Sequence, residues 1–205
     1  MYLYPIWIRL WHLFNAVLIL VLIYTGISMQ YTDRENMAII AGFAKAVKWH
    51  NIAAVLLTFN YMLFVLGNLF TGNGKYYRIG KKDFIKNLWS QLRYYSYGMF
   101  RGEKHPFPVT LERKFNPLQK LSYVLTMYMA MPLLIISGLG LLFPEIIINR
   151  FLGVSGLIFN DLLHVTTGFL ISVFMVIHIY TCTLGSSPTS LFRGIISGYH
   201  ETGDH

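Results

Sequence analysis

The sequence predicts an all-α integral membrane protein, a bundle of four transmembrane helices with both termini in the cytoplasm. Three observations carry that prediction. Only 13% of the 205 residues are charged and 55% are hydrophobic, whereas a soluble domain carries about 25% charged residues; mean hydropathy is +0.48. Four separate stretches reach the roughly 20 mostly apolar residues needed to cross a hydrocarbon core. Lys and Arg are unevenly shared between the loops that join those stretches.

The first span covers about residues 6–29, the second about 50–71, the third about 121–143 and the fourth about 161–184. The first is read as a retained helix rather than a leader. It has no basic segment beyond Arg9, no small-residue cleavage site before Tyr31, and it is longer than a signal core. Pro132 within the third is tolerable in lipid, because neighbouring helices can satisfy the carbonyl that a proline leaves free. Residues 1–205 read as one domain without internal repeats.

Orientation follows from the basic residues. Residues 72–120 hold eleven Lys and Arg, and Arg9 and Arg193 bring that side to thirteen; Arg34, Lys45, Lys48 and Arg150 make four on the other. The excess puts both termini and the long middle loop in the cytoplasm. Within that loop, residues 81–97 mix Phe84, Ile85, Leu88, Trp89, Leu92 and Tyr95 with basic residues, the pattern of an amphipathic helix lying in the inner interface. A solvated basic loop is the alternative. The net charge of +8 belongs to this asymmetry, and no nucleic-acid partner is expected. Cys182 is the single cysteine. That excludes an intrachain disulfide, an iron–sulfur cluster held by this chain's own cysteines, and c-type haem attachment.

Seven histidines are present. His105, His200 and His205 fall in polar segments and read as surface residues without a role. His12, His50, His164 and His178 lie in or at the ends of the apolar spans, where an ionisable residue is a functional hypothesis by default. Taken singly, each fits a hydrogen-bonded interfacial histidine equally well. Taken together they pair by depth. His164 and His178 are 14 residues apart in one span, which is roughly 21 Å of helix and about 40° short of four full turns. They share a face, one near each membrane surface. His12 lies at the inner depth with His178, and His50 at the outer depth with His164; the crossed pairing would join opposite membrane faces. Two imidazoles at each of two levels is the axial ligand set for two six-coordinate b-type haems in a bundle core. Gly26 and Gly168 would let a porphyrin edge approach the backbone, or serve ordinary helix packing. Arg9, at i−3 from His12, could pair with an inner propionate, and Lys48 or Arg150 with an outer one; interfacial anchoring explains them as well.

One ligating histidine in the first span, one in the second and two in the fourth resembles the cytochrome b subunit family of formate dehydrogenases, nickel–iron hydrogenases and thiosulfate reductases. RLWHLFNA around His12 is similar to that family's first ligand segment. KFNPLQKLSY (114–123) and HIYTCTLGSSPTSLFRGIISGY (178–199) look closest to the thiosulfate-reductase-type branch. The resemblance implies a multi-pass subunit of the bacterial cytoplasmic membrane with two haem b. It would anchor an extracytoplasmic catalytic or electron-transfer subunit carrying haem or iron–sulfur, and exchange electrons with menaquinone or ubiquinone near the inner haem. It implies quinone contact by Asn116 with help from His178, with Gln119 and Lys120 at neighbouring motif positions. Leu118 departs from the glycine of the formate dehydrogenase branch. From the residues alone, Asn116 followed by Pro117 is also a good helix N-terminus, and capping competes for the same side chain. Two other functions stay open: a stand-alone b561-like quinone oxidoreductase serving a small diffusible partner, and a haem-free histidine-using transporter. The spans offer the transporter only one carboxylate, Asp161 at an edge.

Overall fold

An apolar run in lipid must satisfy its backbone polar groups internally, which a helix does. The computed structural model describes residues 1–31, 42–80, 83–151, 153–185 and 187–200. Arg34, Lys81, Lys82 and His205 lie outside the described residues. The helices are α1 (Ile6–Tyr31), α2 (Phe43–Phe70), the short α3 (Phe84–Arg93), α4 (Pro117–Leu142), α5 (Gly156–Cys182) and the short α6 (Ser190–Ser197). The four long ones are each apolar and long enough to span a membrane.

Three helices start earlier than the hydropathy suggests. α2 begins at Phe43 rather than near residue 50. Lys45 and Lys48 lie on the helix with exposed side chains while Ala46 is buried, so long lysine stems allow the helix to run past the apolar core. His50 therefore sits within a helix rather than at its mouth. α4 starts at Pro117 because Asn116 and Gln119 form a capping box. α5 starts at Gly156, whose N–H donates to the Asn149 carbonyl at 3.1 Å; a Cβ there would collide with the Ile148 carbonyl.

Pro132 acts as expected of a proline in lipid. A π-turn at Thr126–Ala130 precedes it inside α4, and the Tyr61 hydroxyl of α2 donates to the Met127 carbonyl at 2.9 Å. In that i→i+5 turn Met127 is the carbonyl that a residue-132 N–H would have served.

The bundle is two helical hairpins. In the first, Trp11 Nε1 of α1 donates to the Asn60 carbonyl of α2 at 2.9 Å, and Gly67 leaves room for the Trp7 ring. In the second, Asn160 Nδ2 of α5 donates to the Ser137 carbonyl of α4 at 2.8 Å over Gly140. Close backbone approach occurs mainly within hairpins and is sparse between them. At mid-height the hairpins meet in an apolar cluster of Leu18, Ile19, Leu22, Ala53, Leu57, Met131 and Ile171.

Met1 and His200, the two ends of the described residues, lie at one end of the bundle. The Met1 amino group donates to the His200 carbonyl (3.0 Å) and Leu3 N–H to the Gly198 carbonyl (2.9 Å). The long basic loop is at the same end, with Lys120 Nζ donating to the Arg78 carbonyl at 3.3 Å. α3 is amphipathic: Ile85 (80%) and Trp89 (70%) are exposed with Leu92 along one stripe, and Gln91 on the opposite face is fully buried.

Candidate functional site

Each of the four apolar-span histidines crosses the gap between hairpins. His12 of α1 faces His178 of α5, ring centroids 6.1 Å apart. His50 of α2 faces His164 of α5, centroids 6.3 Å apart. The first pair is at the bundle end that holds Met1 and His200, the second at the opposite end, and Ile171 of the apolar cluster lies midway between the two α5 histidines; the pairs are named inner and outer for these two ends of the bundle, not for sides of the membrane.

At the outer level both rings are oriented by hydroxyls. The Thr25 hydroxyl donates to the Val21 carbonyl (2.7 Å), so its oxygen accepts from His50 Nδ1 at 2.9 Å. The Ser137 hydroxyl donates to the Leu133 carbonyl (2.7 Å), and its oxygen accepts from His164 Nδ1 at 3.0 Å. A proton on Nδ1 leaves the Nε2 lone pair as the metal-binding atom. At the inner level aromatic rings do the holding. His178 stacks on Phe174 (5.6 Å, 17°) and meets the Tyr123 ring edgewise at 6.0 Å, and Trp11 sits against His12 at 6.4 Å. His12 Nδ1 is buried without a hydrogen-bond partner among the described residues, and Cys182 Sγ is 4.0 Å from His178 Nε2.

These pairs fit a haem. A metal–imidazole nitrogen bond is about 2 Å, so two rings on opposite sides of one metal have centroids about 6 Å apart, as both pairs do. Among the described residues no three His, Cys, Asp or Glu gather to hold a bare metal ion; axial ligation of a porphyrin needs only two. The sparse contact between hairpins is where a flat group would lie.

The other expected residues sit as follows. A Cβ on Gly26 would be 3.7 Å from His50 Cε1, which places this glycine at the outer level, whereas one on Gly168 would meet only Leu134 at 3.8 Å. Gly138, not singled out from the sequence, is closer than either: a Cβ there would lie 3.1 Å from His164 Cε1. Arg9 Nε donates to the Ile195 carbonyl at 3.2 Å, near the end of α6, an engagement that competes with a propionate. Lys48 and Arg150 are exposed.

Asn116 is 4% exposed and heavily used. Its Oδ1 accepts the Gln119 N–H (2.8 Å), Gln119 Oε1 accepts the Asn116 N–H (3.2 Å), and Asn116 Nδ2 donates to the Tyr95 hydroxyl at 3.0 Å. Tyr95 was legible only as an aromatic in the amphipathic segment. His105 is not the solvent-facing residue its polar segment suggests. Its Nδ1 accepts the Phe107 N–H at 3.2 Å and its ring packs on Tyr94 (4.8 Å); burial holds its imidazolium below the usual histidine range.

Comparison with known proteins identifies the family. Residues 3–198 match the model of the prokaryotic cytochrome b561 family. A protein of Escherichia coli (strain K12) named as the cytochrome YdhU is 35% identical over 199 residues, 97% of this chain and 74% of that one. No solved structure matches. The chain belongs to the prokaryotic cytochrome b561 family. It is a multi-pass electron-transfer protein of the bacterial inner membrane that carries haem b, and the haem-free transporter is set aside.

Proposed function

We propose that this cytochrome holds two haem b, one between His12 and His178 and one between His50 and His164. It would pass electrons between the quinone pool and an extracytoplasmic redox subunit carrying haem or iron–sulfur. The observation that supports this reading most is the repetition of one arrangement at two depths: facing imidazoles, one from each hairpin, 6.1 and 6.3 Å apart. When bound, each haem supplies a one-electron iron couple, and two stacked levels span the apolar core.

The chain's own residues do the rest. Thr25 and Ser137 fix the tautomer of the outer ligands. The apolar cluster around Ile171 keeps water out from between the levels. At the inner level, Asn116, backed by Tyr95 and Gln119, presents a buried amide at the start of α4, the helix whose Tyr123 meets the His178 ring, so that a quinone carbonyl would find a donor; Lys120 would contribute charge there. The basic excess in the long loop supports placing the quinone end in the cytoplasm. Membership of the thiosulfate-reductase-type branch is part of the same proposal. The stand-alone b561-like oxidoreductase with a small diffusible partner remains the second reading, with which the family match is equally compatible.

The test is anaerobic addition of a menaquinol analogue to the purified cytochrome, followed by copurification in mild detergent. Reduction of both haems by quinol, and a tightly held second chain with redox centres, is the expected result. Haems that dithionite reduces but quinol does not would contradict quinone reactivity; a lone chain with full quinol activity would favour the diffusible partner.

A further inference from the structure

At the bundle end that carries the termini and the long loop, a cavity of about 170 Å³ opens beside α3 and the start of α4, lined by Phe84, Asn87, Phe107, Arg113, Phe115 and Lys120 among others. Among the described residues, two cations and no carboxylate line it. The nearest acids in sequence, Asp83 and Glu112, are exposed. Arg113 is fixed in place: its Nη2 donates to the Pro108 carbonyl at 3.0 Å and its guanidinium lies 5.4 Å over the Phe107 ring. Its Nε–H is buried and meets no acceptor among the described residues. Leaving a buried charged donor without an acceptor costs more than leaving a neutral one, so an anion is the fitting complement.

The position of the cavity indicates where the anion comes from. Phe84 and Asn87 line it from one face of α3, while Ile85, Trp89 and Leu92 form the exposed apolar stripe on the other. A helix of that kind lies in the membrane interface with its apolar side in the acyl boundary, which puts the cavity at headgroup depth. Three phenylalanine rings in the wall suit a ligand with an apolar continuation, which inorganic phosphate lacks. We propose that this cavity binds the phosphate of an anionic phospholipid, with Arg113 as the main contact and Asn87 beside it. Basic interfacial pockets of membrane proteins recognise such headgroups, and the guanidinium fork suits a phosphate better than an ammonium does.

The test uses the full haem-loaded chain in mild detergent, observed by native mass spectrometry with phosphatidylglycerol, phosphatidylcholine or inorganic phosphate added. Wild type should retain phosphatidylglycerol about tenfold better than phosphatidylcholine: both offer the phosphate, but the choline ammonium is a like charge held beside the Arg113 guanidinium, and such a juxtaposition is repulsive. Arg113→Gln, checked for an unaltered haem spectrum, should lose that preference, while Lys86→Gln, on the exposed side of α3, should keep it. Equal retention of the two lipids by wild type overturns the proposal whether or not the variant assembles. So does undiminished phosphatidylglycerol retention by a folded Arg113→Gln. Displacement of the lipid by millimolar inorganic phosphate would reassign the cavity to the free anion and overturn the lipid.

Discussion

At the end of the bundle remote from the termini, His50 Nδ1 rests on the Thr25 hydroxyl and His164 Nδ1 on the Ser137 hydroxyl. At the other end, His12 Nδ1 has no partner among the described residues and His178 is stacked on Phe174. The ring separations are nearly the same, but one pair is locked by hydrogen bonds from helices α1 and α4 and the other by aromatic packing. Small hydroxyl residues on neighbouring helices fix the rotation and tautomer of the outer imidazoles and raise their basicity. The inner pair meets Tyr123 of α4, one turn beyond the capping box that Asn116 and Gln119 form beside Tyr95, polar groups suited to a substrate. On the proposed reading, the rigid pair serves electron transfer alone and the looser pair adjoins chemistry.

The largest expected effect separates the pairs outright. His164→Ala should reduce haem content from two per chain to one and leave the inner haem spectrum intact; loss of both haems, or of neither, would break the two-site division. Next comes the inner end. Asn116→Ser keeps a good N-cap, so stability should change by only a few tenths of a kcal/mol, while loss of the amide donor should slow quinol-driven haem reduction about tenfold. A large fall in melting temperature with unchanged kinetics would show that Asn116 only caps. Thr25→Val sharpens the outer end. Without its hydroxyl acceptor His50 becomes a weaker donor, and one of two redox steps should move upward by about 60 mV, equivalent to tenfold in relative affinity for a one-electron couple; a shift of both steps would mean the levels are not independent. The smallest effect lies between the levels. Tyr61→Phe frees the Met127 carbonyl and should cost about 1 kcal/mol, seen as a lower melting temperature with both haems retained.

Much of this was legible in the sequence because lipid imposes simple rules. Four apolar runs gave four helices, and the depth of each histidine followed from span order and helical rise. Pro132 announced a carbonyl in need of a partner, though not that Tyr61 would supply it. The hydroxyls of Thr25 and Ser137 were hidden because mid-span Ser and Thr commonly bond their own helix backbone, as these two also do; their second role depends on how helices face one another. Gly138 was hidden for the same reason: it belongs to no motif and is distinguished only by its close approach to His164. The early start of α2 was masked by Lys45 and Lys48, which hydropathy counts as loop. The engagement of Arg9 with α6 needed the first and last described segments to be seen side by side, and the packing of the half-buried His105 on Tyr94 needed the folded loop.

The most direct measurement is haem quantified as pyridine haemochrome on the purified chain, combined with a redox titration of the same sample. The account predicts two haem b per chain titrating in two steps, with only one step moved by Thr25→Val or Ser137→Ala. One haem per chain would contradict the pairing of four histidines at two levels.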